Sequence, residues 1–112
     1  MKAAVATVVS IAVSTLLAAA PAHAALDNAA AEAMMKKDGC AACHSIDKKI
    51  VGPAYVDVAA KYKGDKDAVA KLTKKVKDGS TGVWGPIPMP PNAAVSQADA
   101  TELVTWILTL KK

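Results

Sequence analysis

The stretch Cys40-Ala41-Ala42-Cys43-His44, CAACH, decides how the rest of the chain is read. Two thiols spaced i, i+3 with an imidazole directly behind them admit few chemistries. A thioredoxin-like redox pair or a simple disulfide would use the cysteines alone, and the redox fold needs β-α-β patterning that the surrounding sequence lacks. A structural zinc site would lack a fourth ligand of the usual kind. Both thiols can instead add to the vinyl groups of a haem, giving two thioethers. C-x-x-C-H is the spacing of c-type haem attachment, and it makes His44 the candidate proximal iron ligand. A lone histidine is ordinarily a core residue; one that follows C-x-x-C directly is read as a ligand.

Upstream of this pentad, the first 24 residues do not read as domain. Met1-Lys2 is a positive end, Ala3 to Ala20 is apolar apart from Ser and Thr, and Pro21-Ala22-His23-Ala24 supplies an A-x-A cleavage pattern. Residues 1–24 are therefore expected to be a secretory signal peptide cut after Ala24, leaving residues 25–112 as one small domain. No later stretch is long or apolar enough to span a bilayer. Removing the leader takes away Lys2 and His23, so that His44 is the single histidine and the formal net charge falls from the whole chain's +4 by one.

A domain this small is marginal without a disulfide, metal or cofactor. With no Phe, two Trp and two Tyr, its side chains supply little large apolar surface. Every basic residue is a lysine, spread among interspersed acids, and no arginine is present to read phosphates or bases. That pattern argues against nucleic-acid binding.

The domain reads as all-α. Asp27 or Asn28 caps a helix through the alanines to about Lys37, with Gly39 at its end. Residues 45–54 form a loop. A short helix runs from Tyr55 to Tyr62, and another, capped by Asp65, covers about Lys66 to Lys77. Residues 79–95 are a Gly/Pro-rich loop. Ser96 opens the last helix, which runs to about Leu110 with Leu103, Trp106, Ile107 and Leu110 as its apolar stripe. Helices this short need a shared core, and the loops are too long for an up-down bundle.

A haem iron bound by His44 needs a sixth ligand or an open site. Without a second histidine the candidates are Met34, Met35, Met89 and a lysine. Met34 and Met35 lie on the helix entering the attachment site and read as core packing. Met89 follows His44 by 45 positions and sits inside GPIPMPPN, residues 85–92, among four prolines. Proline fixes its own φ and restricts the residue before it, so this collar would hold a sulfur at a fixed point. Met/His ligation raises the reduction potential and leaves no position free for substrate.

Two segments, GCAACHSIDKKIVGPAY (39–55) and DGSTGVWGPIPMPPN (78–92), resemble the small bacterial class I cytochromes c of the cytochrome c-551 (c8) type. The resemblance implies a four-helix class I fold wrapped around one haem, covalent through Cys40 and Cys43 and ligated by His44 and Met89. It makes Asn92 the residue whose amide bonds the methionine sulfur, Pro53 the carbonyl that receives the histidine N–H, and Trp84 an indole N–H on a haem propionate. Trp84 as plain core filling and Asn92 as a turn residue are the alternatives. Lys75 falls where some members carry a propionate-binding arginine, and Met35 where some carry phenylalanine. The implied protein is not an enzyme. It is a monomeric periplasmic electron carrier that docks transiently with redox partners at its exposed haem edge, with a haem nitrite reductase or a terminal oxidase as the implied acceptor. The rival expectation is a haem subunit, or a haem enzyme or gas sensor, with a labile distal methionine.

Overall fold

Asp27 begins the first helix as the sequence suggests: its carboxylate accepts from the Ala30 N–H at 2.7 Å. In the computed structural model, which describes residues 26–112 and isolated positions 4, 10, 12 and 14, this helix, α1, spans Asn28–Lys37. The expected leader and its cleavage site otherwise lie outside the described residues. Lys36 and Lys37 occupy the last turn of α1, where positive charge complements the helix dipole. Gly39 follows at φ 78°, a left-handed conformation that glycine adopts without a Cβ penalty, and turns the chain into a 3-10 turn over Cys40–Ala42.

Three further helices follow: α2 (Tyr55–Lys61), α3 (Ala68–Asp78) and α4 (Gln97–Ile107). No strand occurs among the described residues, only the isolated bridges His44–Lys49 and Ser80–Met89. Helix α2 has no side-chain cap. The loop carbonyls of Ser45 and Ile46 take the N–H groups of Tyr55 and Val56, both at 3.0 Å, so the attachment loop itself satisfies the start of this helix. Helix α3 begins later than Asp65 suggests. That carboxylate instead accepts from the Asp67 N–H at 2.9 Å, closing a turn before the helix starts. Ser96 caps α4 through the Asp99 N–H at 3.0 Å.

The core joins all four helices through Ala31, Met35, Tyr55, Val58, Leu72, Leu103, Val104, Trp106 and Ile107. The terminal helices pack together, and Trp106 Nε1 donates to Asn28 Oδ1 at 3.1 Å across 78 positions of sequence. Lys37 and Asp99 add an ion pair at 2.7 Å between the same helices. The carboxylate is held below its ordinary range by this hydrogen bond, but the pair is solvent-facing and contributes little. The apolar stripe of α4 is wider than expected, because Val104 is buried too, and the helix stops at Ile107, with Leu110 packing from the segment beyond it. Met35 is in the core and Met34 packs against it.

Leu103→Ala should lower the unfolding free energy of the haem-loaded protein by about 2–5 kcal/mol, since it deletes buried methyl groups at the helix junction. Glu102→Ala, on the exposed side of the same turn, should stay within about 0.5 kcal/mol. Denaturant titration of both variants checks the assignment of the buried stripe.

Candidate functional site

His44 is held from three directions. Its Nδ1 lies 2.8 Å from the Pro53 carbonyl oxygen. A carbonyl can only accept, so Nδ1 carries the proton and donates, which leaves Nε2 as the bare nitrogen. The imidazole stacks on the Tyr55 ring, with centroids 5.0 Å apart and planes 21° from parallel. Gly52 closes the third side: a Cβ there would lie 2.5 Å from His44 Cε1 and 2.9 Å from Nδ1. The Gly52 N–H in turn donates to the Cys43 carbonyl at 2.8 Å, folding the 50–53 segment back over the pentad. The need for glycine at 52 is invisible in sequence beyond its place before a proline.

Met89 is held by its backbone. Its N–H donates to Ser80 O at 2.8 Å and its carbonyl accepts from the Ser80 N–H at 3.0 Å. This pairing requires close approach beside Gly79, at φ 82°, where a Cβ would lie 2.8 Å from the Met89 carbonyl oxygen. Asn92 lies three residues further on. Its Nδ2 donates to Asp38 O at 2.7 Å, its Oδ1 accepts from the Val95 N–H at 3.3 Å, and its own N–H donates to Val76 O at 3.0 Å. An amide nitrogen carries two N–H groups, and the bond to Asp38 uses one.

Cys43, His44, Pro53, Lys75, Trp84 and Met89 line one cleft of about 400 Å³, within the size range of cofactor sites (roughly 300–1,000 Å³). Val58, Leu72, Val104 and Ile107 give it an apolar floor continuous with the core. Cys40 packs against the core beside the cleft wall, and Asn92 stands outside it. Burial pushes the Cys40 thiol above its ordinary pKa, the opposite of what a redox-active thiolate needs, and drives the Tyr55 hydroxyl upward as well. Trp84 is 41 % exposed at the cleft, and Lys61 Nζ sits 5.3 Å from its ring centroid. Lys75 Nζ reaches Ser80 Oγ at 3.4 Å. Gly79, Ser80 and Lys61 carried no site signal in the sequence, because their roles depend on backbone pairing and on a contact between distant segments.

The donor set fits a c-type haem: two cysteines beside an oriented imidazole, a thioether side chain from another segment, and an apolar floor between them. A family model described as Cytochrome c matches residues 28–111. The chain belongs to the cytochrome c family, and it carries a covalently bound haem c. Cytochrome c-552 of Nitrosomonas europaea is 53 % identical over 100 residues, covering 89 % of this chain and 91 % of that protein. Cytochrome c-551 of Pseudomonas aeruginosa is 58 % identical over 80 residues, 71 % of this chain and 76 % of the relative. The crystal structure of wild-type Nitrosomonas europaea cytochrome c552 superposes with a TM-score of 0.70 at 56 % identity, over 71 % of this chain and 99 % of that one. Within the family the chain is of the small class I, c-551 type, an electron-transfer cytochrome rather than an enzyme.

Gly52→Ala should displace the His44 ring and break its bond to Pro53, costing about 1–3 kcal/mol of stability by overpacking. Proton NMR of the paramagnetic ferric protein should show altered His44 ring shifts. Unchanged shifts and stability would mean that Gly52 does not set the ring.

Proposed function

We propose that this cytochrome shuttles single electrons between respiratory redox partners in the periplasm, and that His44 and Met89 are the residues that would hold the iron of its haem. The observation that carries this reading is the presence of an oriented imidazole and a backbone-pinned methionine on one apolar cleft. Haem, when bound, supplies one-electron redox chemistry. The chain's part is to hold that group still. His44 Nδ1 is committed to Pro53, so the ring presents Nε2 in one tautomer and one orientation. Met89 is fixed through Ser80, and its neighbouring prolines limit the alternatives open to the loop. Retention of both ligands in either oxidation state leaves little to reorganise and no position for a substrate.

The remaining assignments follow from the same likeness. Trp84 offers its indole N–H, and Lys75 its ammonium, to the propionates. The second N–H of Asn92 serves the Met89 sulfur. The leader is removed after Ala24, and export precedes haem attachment. No helix among the described residues is long and apolar enough to cross a membrane.

The protein works as a monomer that meets its partners briefly, with a haem nitrite reductase or a terminal oxidase as acceptor. Val51 and Ile87 line the cleft yet are 48 % and 62 % exposed, an apolar rim suited to a small, short-lived interface. Lys49 and Lys61 lie on or beside that rim, where their charge would steer an acidic partner.

Met89→Ala should abolish the weak far-red charge-transfer band of sulfur–iron(III) bonding. It should also lower the reduction potential by on the order of 0.1 V or more, within the ~0.8 V span that axial ligation controls. Met34→Leu should do neither. A ferric spectrum and potential unchanged by Met89→Ala would exclude methionine ligation from this position.

Exchange with an acidic redox partner should slow as salt rises from 0.01 to 0.1 M, over which the Debye length falls from roughly 30 Å to about 10 Å. Stopped-flow rates that stay flat across this range, with Lys49→Glu and Lys61→Glu both silent, would instead assign docking to the apolar rim alone.

A further inference from the structure

Lys77 sits in the last turn of α3 and is half-buried, unlike the lysines that project from the same helix into solvent. Its ammonium is bound by the chain itself: Nζ donates to the carbonyl of Ala93 at 3.2 Å and to that of Val95. Both carbonyls belong to the turn that leads out of the Met89 loop into α4. Val95 is 2 % exposed, and the next residue, Ser96, caps α4. The turn is further tied by Asn92, whose N–H bonds Val76 O and whose Oδ1 receives the Val95 N–H.

The C-terminal end of α3 therefore grips the loop twice. Ser80, just past the helix, pairs with Met89 itself; Val76 and Lys77, in its last turn, hold the segment three to six residues beyond. Between the two grips lie Pro90 and Pro91. Their fixed φ values make this a stiff strut, so a shift at Ala93 or Val95 is transmitted to Met89 rather than absorbed. An ammonium on a carbonyl is a charge-assisted hydrogen bond, stronger than a neutral one. Its loss would leave two carbonyls of this turn without that donor.

We propose that Lys77 is a positioning residue for the axial methionine, a latch that holds the exit of the ligand loop closed on α3, and that it is not one of the lysines that meet redox partners. This rests on the reading that Met89 ligates the iron. The latch governs how often the loop lifts the sulfur away, and so how readily a foreign ligand enters.

Imidazole at about pH 8.5 or above is a suitable probe because it is then neutral, so the loss of a lysine charge does not by itself change its approach. Its association rate with the ferric holoprotein should rise about tenfold in Lys77→Met, equivalent to about 1.4 kcal/mol of easier opening. The far-red sulfur band should be lost on heating well below the global unfolding temperature. Lys77→Arg, which keeps a charged donor, should restore both properties. Lys77→Gln, with a shorter neutral donor, should fall between them, and it supplies the measurement if the methionine variant does not fold. Lys74→Met removes an equal charge from α3, where Lys74 is exposed and pairs with Asp78 at 2.6 Å, and should leave both readouts at wild-type values.

Met89→Ala runs beside these variants. Persistence of the far-red band in Met89→Ala would overturn the ligand assignment and the latch with it. If Met89→Ala removes the band but Lys77→Met and Lys77→Gln only lower global stability, with the imidazole rate and band melting otherwise unmoved, the latch alone is wrong and Lys77 merely supports the fold.

Discussion

The hydrogen bond from His44 to the Pro53 carbonyl ties together the attachment pentad, the loop that follows it and the start of α2. It joins the attachment pentad to the far end of the loop that follows it, so residues 44–53 close on themselves. The closed loop then offers the Ser45 and Ile46 carbonyls to the first N–H groups of α2, which lacks a side chain to cap it. Orientation of one imidazole and initiation of one helix thus share the same geometry. Gly52 is part of that bargain, since any side chain there would occupy the space of the ring.

From His44 an aromatic relay leads to the packing of the terminal helices. The imidazole stacks on Tyr55, Tyr55 meets Trp106 edge-on with centroids 6.2 Å apart, and the Trp106 N–H reaches Asn28 at the start of α1. Such contacts combine large apolar area with directional preference. In a chain without phenylalanine they concentrate much of the aromatic surface around His44. The His44 side of the site is built onto the same core that joins α1 to α4, through Tyr55 and Trp106.

The methionine side is built differently. Residues 79–95 contain no helix or extended strand, and Met89 depends on backbone pairing with Ser80 and on contacts with the end of α3. Four prolines reduce the conformations the free loop can sample, which lowers the entropy lost on ordering it. They do not choose where the loop goes. That choice comes from the left-handed turn at Gly79 and the hydrogen bonds that follow it. Trp84 and Ile87, on the same segment, line the cleft while remaining part-exposed to solvent.

The sequence by itself carried the chemistry that the family shares: C-x-x-C-H states the covalent attachment, and residues 25–112 hold a single histidine and, in a proline collar, the methionine proposed as the second ligand. Helix periodicity and capping residues also made four short helices legible, because those signals are local. The late start of α3 escaped because Asp65 is equally able to close a turn. The burial of Val104 escaped because how wide a stripe becomes depends on how many neighbours press on it. Only the tertiary structure decided that position 52 must be glycine, that Ser80 carries Met89, that Asn92 reaches Asp38 and that Lys77 faces inward. These are contacts between segments whose identities carry no periodic mark, and a lysine written in a sequence looks the same whether its ammonium meets water or two carbonyls.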